Sequence, residues 1–157
     1  MSIRGNPWAG EFRTVWTSRS ESFGFAIVSQ IEPELARIST ELKQEGYLKG
    51  VDGAKFVDRA AYYWAEWNAV HPHLDGNGRA CRETLRTLAL QAGYKLNWSG
   101  LRKGEVSQAS SLSWSRGDTS LLANIIRERL TPLPENERGP QIIPVHRESA
   151  RHDHGNK

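Results

Sequence analysis

The sequence predicts a mainly α-helical domain with one small β element. Three observations carry this expectation. Apolar residues recur at helical spacing in four separate stretches, strict alternation is confined to Phe23, Phe25 and Ile27, and 157 residues suffice for one domain, or one domain and a tail.

In chain order, Trp8-Ala9-Gly10-Glu11-Phe12-Arg13 reads as the end of some element. Phe23, Phe25 and Ile27 then share a face and suggest a short strand or hairpin arm, whose other face, with Gly24 and Ala26, is left open. A first helix carries Pro33 in its first turn and a stripe of Ile31, Leu35, Ile38 and Leu42, and Gly46 fits its C-terminal cap. A second runs from about Ala54 to Val70, striped by Phe56, Ala60, Trp64, Trp67 and Val70 and broadened by Val57 and Ala61. It has to end near His71, because Pro72 drives the residue before it out of the α region. A third begins around Arg79, turns Leu85, Leu88, Ala89 and Ala92 inward, and stops at Gly93. Residues 94–117 are mixed, with Trp98 and Trp114 as anchors and a short helix at 104–111. Asp118 or Thr119 caps a last helix, with Leu122, Ile125, Ile126 and Leu130 inward. From Thr131 prolines and charge replace periodicity, so residues 1–130 are expected to be the domain and 131–157 a mostly disordered tail.

Composition narrows the function classes. Six tryptophans favour a packed core over a disordered chain. The net charge of +3 suits an anionic ligand, while basic residues spread along the chain argue against direct nucleic-acid binding. The single cysteine, Cys81, excludes an internal disulfide and reads as a packing residue rather than a nucleophile. No apolar run approaches the roughly 20 residues of a membrane span, and the N-terminus has no apolar signal core. A cytoplasmic protein without membrane contact is expected.

The chemistry is concentrated between the second and third helices, in His71-Pro72-His73-Leu74-Asp75-Gly76-Asn77-Gly78-Arg79. Gly76 and Gly78 let main-chain amides approach a ligand, and the loop feeds a helix N-terminus, where unpaired amides and the helix dipole favour phosphate. Arg79 and Arg82 lie three apart in the first turn, badly placed for the dipole but well placed to clamp phosphates. Asp75 offers a hard oxygen for Mg²⁺, and His71 can take a proton from an attacking hydroxyl. His71, His73 and Asp75 also alternate as a zinc trio would, although a zinc site needs a fourth ligand or a bound water.

From His71 to Arg82 the chain resembles the signature of the Fic (Fido) family: His-Pro-Phe, a variable residue, Asp or Glu, Gly-Asn-Gly-Arg, two variable residues, Arg. Residues 8–15 resemble the tryptophan segment preceding the family's flap, and the stretch from Leu42 to Trp98 is similar to the short bacterial toxins called FicT, so the resemblance covers about residues 8–130. It implies a helical Fic core with a β-hairpin flap, and transfer of AMP from ATP to a Ser, Thr or Tyr hydroxyl of a target protein. It implies His71 as base, Asp75 as Mg²⁺ ligand, and Gly76, Asn77 and Gly78 as the anion nest, with the Asn77 side chain on a phosphate. Arg79 and Arg82 would meet the β- and γ-phosphates, and Phe23, Gly24, Phe25 and Ala26 would belong to the target-binding flap. Gly78 stands where the related Doc kinases carry Lys, which favours AMP transfer over phosphorylation. The toxin branch further implies ATPase subunits of DNA gyrase and topoisomerase IV as targets and a separate antitoxin protein as inhibitor. The alternatives are a nucleotide-binding module with little turnover, or a phosphotransferase.

Two departures from the pattern are visible. The family's Phe is His73 here, which needs a polar partner if buried, and the chain is short ahead of Trp8. One stretch, Thr131 to Asn136, matches the family's inhibitory motif literally, but Pro132 and Pro134 argue against a helix there.

Overall fold

The broadest apolar stripe in the sequence becomes the central helix. The computed structural model describes residues 10–20 and 23–137, with the backbone alone at 18–20 and 23. The element order is β1 (Ser18–Ser20), β2 (Phe23–Gly24), α1 (Ile31–Gln44), α2 (Gly53–Val70), α3 (Asn77–Ala92), β3 (Tyr94–Leu96), α4 (Glu105–Arg116), α5 (Ser120–Arg127) and β4 (Leu130–Pro132). Short 3-10 turns occupy Val28–Gln30, Gly46–Leu48 and Glu135–Glu137. The readings that fell on Trp8, Ala9, Ser22 and residues 138–157 lie outside the described residues. The architecture is mainly helical, as expected.

Helix α2 packs against α1, α3, α4 and α5. It buries Phe56, Val57, Ala60, Ala61, Tyr63, Trp64 and Val70. Each large side chain taken from water contributes about 1.5–3 kcal/mol, so this one helix organises the core. Its start is capped by Asp52, whose carboxylate accepts the Lys55 amide at 2.9 Å. Charges fasten α1 beside it: Arg59 meets Glu41 at 2.9 Å and also pairs with Glu45, while Tyr62 donates to Glu41 at 2.9 Å. Trp98 reaches the core edge-on to Trp64, ring centroids 5.3 Å apart. Gly93 stops α3 in the left-handed conformation its φ of 89° requires.

Three features differ from the sequence reading. Helix α4 extends to Arg116 rather than ending near 111, its serine-rich composition having hidden the periodicity. A second antiparallel ladder joins β3 to β4, pairing Tyr94 with Pro132, Lys95 with Thr131 and Leu96 with Leu130. Strands of three residues separated by two helices leave no alternation long enough to read. As a consequence packing continues past residue 130: Leu133 is buried, and its amide donates to the Gly93 carbonyl at 2.9 Å. The Thr131–Asn136 stretch is strand and 3-10 turn, not an α-helix. No helix among the described residues is long and apolar enough to cross a membrane.

Leu133→Ala is expected to destabilise the domain by about 2–3 kcal/mol, the usual cost of truncating a buried leucine. A urea unfolding midpoint equal to that of the wild type would show that the strand after α5 is not part of the core.

Candidate active site

Two helix ends face each other across the loop. Helix α2 ends at Val70, and His71 caps it in the left-handed region (φ 47°, ψ 61°). That conformation costs a non-glycine residue about 1–2 kcal/mol, and Pro72 removes the right-handed alternative. Helix α3 begins at Asn77 with Gly76 as its N-cap, at φ 87°. Gly76 supplies no capping side chain and the first turn holds no acidic residue, so the positive end of α3 is left for an external anion.

The arginines are poised over the glycines. A β-carbon built on Gly76 would lie 3.6 Å from the Arg79 guanidinium, and one on Gly78 would lie 3.4 Å from that of Arg82. Arg79 pairs with Asp75 at 3.4 Å, both side chains about three-quarters exposed. The other Asp75 oxygen accepts the Gly76 amide at 2.7 Å. A lone exposed carboxylate suits Mg²⁺, which takes one or two protein carboxylates and fills its octahedron with phosphates and water. Among the described residues, no three His, Cys, Asp or Glu side chains gather as a metal site.

Asn77 departs from the role implied for it. It is buried, and its side chain is turned into the loop: Oδ1 accepts the His73 amide at 2.9 Å and Nδ2 donates to the His73 carbonyl at 2.6 Å. Both ends of the amide brace the loop instead of meeting a phosphate. His73 finds the partner it needs, since its Nδ1 lies 2.7 Å from the Glu11 carbonyl, which fits an Nδ1–H donor. The Phe12 ring lies 5.7 Å from it. Cys81 is buried and its thiol is pushed up to about 11 by desolvation, in keeping with a packing role.

The flap residues divide. Phe23 and Gly24 form β2 and pair with β1, and a β-carbon on Gly24 would sit 2.6 Å from the Trp16 ring, so any larger residue there would displace that ring. Phe25 continues the pairing with the β1 arm, and Ala26 turns to α2. The Phe25 amide donates to the Thr17 carbonyl at 3.2 Å and that of Ala26 to Ala69 at 3.0 Å. The Phe25 ring stacks on His71, centroids 3.7 Å apart and planes at 11°, and also meets Trp114 at 4.9 Å. The ring of Phe25, a residue assigned to the flap, thus covers the His71 imidazole, next to Ala26, which is tied to α2.

His71 and Gly78 line one cavity of about 310 Å³, together with Phe25, Asn68, Val106, Ser107 and Ser110. Its volume lies at the lower end of small-molecule sites. Asn68 and Ser110 are bonded to each other at 3.0 Å, which ties α2 to α4 at the cavity wall. Sequence reading missed Asn68, Val106, Ser107 and Ser110. Asn68 precedes His71 by one helical turn and could have been found on that spacing; the α4 residues carry no signal, since only tertiary packing brings them there. It also gave no role to Arg13, which is buried and donates to carbonyls of Val15, Ala26, Val70 and His71.

Comparison with known proteins places the chain in a family. The family model described as Fic/DOC family matches residues 2–89. The chain is 39% identical over 131 residues to a Bartonella schoenbuchensis protein named "Protein adenylyltransferase VbhT", covering 83% of this chain and 27% of that one. It is 37% identical over 130 residues to an Escherichia coli (strain K12) protein named "Probable protein adenylyltransferase Fic", covering 83% of this chain and 64% of that one. The chain thus spans under two thirds of each of these relatives. Among solved structures, the BepC protein of Bartonella tribocorum with bound AMPPNP superposes with a TM-score of 0.72 at 26% identity, covering 81% of this chain and 67% of that one. With the family model matching more than half of its residues, the chain belongs to the Fic/DOC family.

Proposed function

We propose that the chain transfers AMP from ATP to a hydroxyl of another protein. The observation that carries this is the shared cavity: His71, at the end of α2, opens on the same space as Gly78, in the first turn of α3. A base at His71 and a phosphate nest at Gly78 would there serve one substrate. The relatives named adenylyltransferases support the same reaction class.

His71 would take the proton of a target Ser, Thr or Tyr as its oxygen attacks the α-phosphorus. The new P–O bond forms as the bond to the bridging oxygen breaks, and pyrophosphate leaves with the extra charge. The α3 amides at Gly76 to Gly78 would hold the phosphates. Arg79 and Arg82 would neutralise the charge accumulating on pyrophosphate. Asp75 would release Arg79 and hold Mg²⁺, which when bound supplies charge neutralisation between the phosphates. A β-carbon on Gly78 would reach ordinary contact distance, 3.4 Å, from the Arg82 guanidinium. As targets we propose the ATPase subunits of DNA gyrase and topoisomerase IV, and a separate antitoxin protein as inhibitor, both on the toxin resemblance.

The test is incubation with Mg²⁺, bacterial lysate and ATP labelled at the α-phosphate. Label on a protein band supports the reading; label from γ-labelled ATP alone would replace it with a kinase. His71→Ala is expected to lower the transfer rate by about 10²–10⁴-fold while ADP, measured by calorimetry, still binds; undiminished transfer would remove His71 as base. Asp75→Asn is expected to raise the Mg²⁺ concentration giving half-maximal transfer, and an unchanged Mg²⁺ titration would take the metal away from Asp75. Purified gyrase carrying one added AMP by mass spectrometry would establish the target, and an unmodified enzyme would exclude it.

A further inference from the structure

We propose that Arg13 is the positioning residue for His71: one buried guanidinium fastens the flap segment, the end of α2 and the His71 backbone into a single unit. The inference rests on the reading of His71 as the general base.

Arg13 is 1% exposed, and burial lowers its pKa, yet an arginine stays charged at any ordinary pH. Such a charge is normally paired with a carboxylate. Among the described residues its guanidinium donates instead to main-chain carbonyls. Nε donates to His71 at 2.8 Å, one terminal nitrogen to Val15 at 3.0 Å, and the other to Val70 at 3.2 Å and to Ala26. The Arg13 amide adds a bond to the Pro72 carbonyl at 2.8 Å.

These acceptors belong to different segments. Val70 and His71 end α2, where unpaired carbonyls and the negative end of the dipole welcome a cation. Ala26 belongs to the segment that lays Phe25 on the imidazole. One planar fork therefore sets both the backbone from which His71 projects and the ring stacked on it. Lysine cannot reproduce this, because its single ammonium cannot reach carbonyls spread around a fork. Nothing places Arg13 against nucleotide: the lining of the shared cavity does not include it. Its effect on transfer passes through His71.

Arg13→Lys, His71→Ala and the double variant separate this from a merely structural role. In Arg13→Lys, single-turnover transfer from α-labelled ATP into lysate protein should fall about 100-fold, the cost of displacing a reacting group by about an ångström. ADP affinity should stay within about threefold, and the double variant should transfer no more slowly than His71→Ala alone. Transfer at the wild-type rate, a parallel collapse of ADP affinity, or additive losses would each overturn the proposal. A wild-type chain that labels nothing would defeat the proposed function instead. Amide exchange then decides this inference by itself: Ala26 and His71 amides should exchange faster in Arg13→Lys while those of α1 and α5 do not change. Unchanged exchange at Ala26 and His71 overturns it. If the lysine variant does not fold, the wild-type Arg13 Nε–H remains as a readout. Slow solvent exchange of that proton in NMR is required, and rapid exchange overturns the proposal.

Discussion

A buried guanidinium at the end of α2 holds together the parts on which the candidate site depends. The last carbonyls of a helix have no partner inside it. At α2 those of Val70 and His71 meet Arg13, so a group that is costly to bury is set against acceptors that are costly to leave open. Charge-assisted bonds are about twice as strong as neutral ones, and several converge here. The same bonds offset the strain of His71 at positive φ.

The loop beyond His71 is held by hydrogen bonds, within itself and to the segment before the flap. Asn77 bridges both main-chain groups of His73, and His73 in turn leans on Glu11. The segment before the flap thus touches the loop twice, through Arg13 and through Glu11. A signature motif invites the view that each of its letters meets the substrate. Here they split: His71 and Gly78 line the cavity, while Asn77 keeps the turn in shape.

Electrostatics at the loop is arranged to be rearranged. The Asp75–Arg79 pair is exposed, and such pairs contribute about 0–1 kcal/mol. The charges between α1 and α2 behave differently, since Glu41 is shared by Arg59 and Tyr62 and the stems are half-buried. That network holds the scaffold away from the site.

Much of this was legible in the sequence. Helical periodicity marked the helices, with α3 starting at Asn77 rather than near Arg79, and Pro72 marked the end of α2, because these are local consequences of side-chain spacing and backbone sterics. The loop chemistry was legible for the same reason, glycines, carboxylate, arginines and histidine being contiguous. What tertiary structure alone decided lies across large sequence separations. Arg13 meets His71 over 58 positions, Asn68 meets Ser110 over 42, and β3 finds β4 across two helices. No local pattern encodes such pairings, since each partner satisfies its hydrogen bonds only after the core has brought the elements together. The inward turn of Phe25 belongs with them: its alternation with Phe23 and Ile27 announced a strand, but which way the ring points was settled by the anchoring of Ala26 to α2.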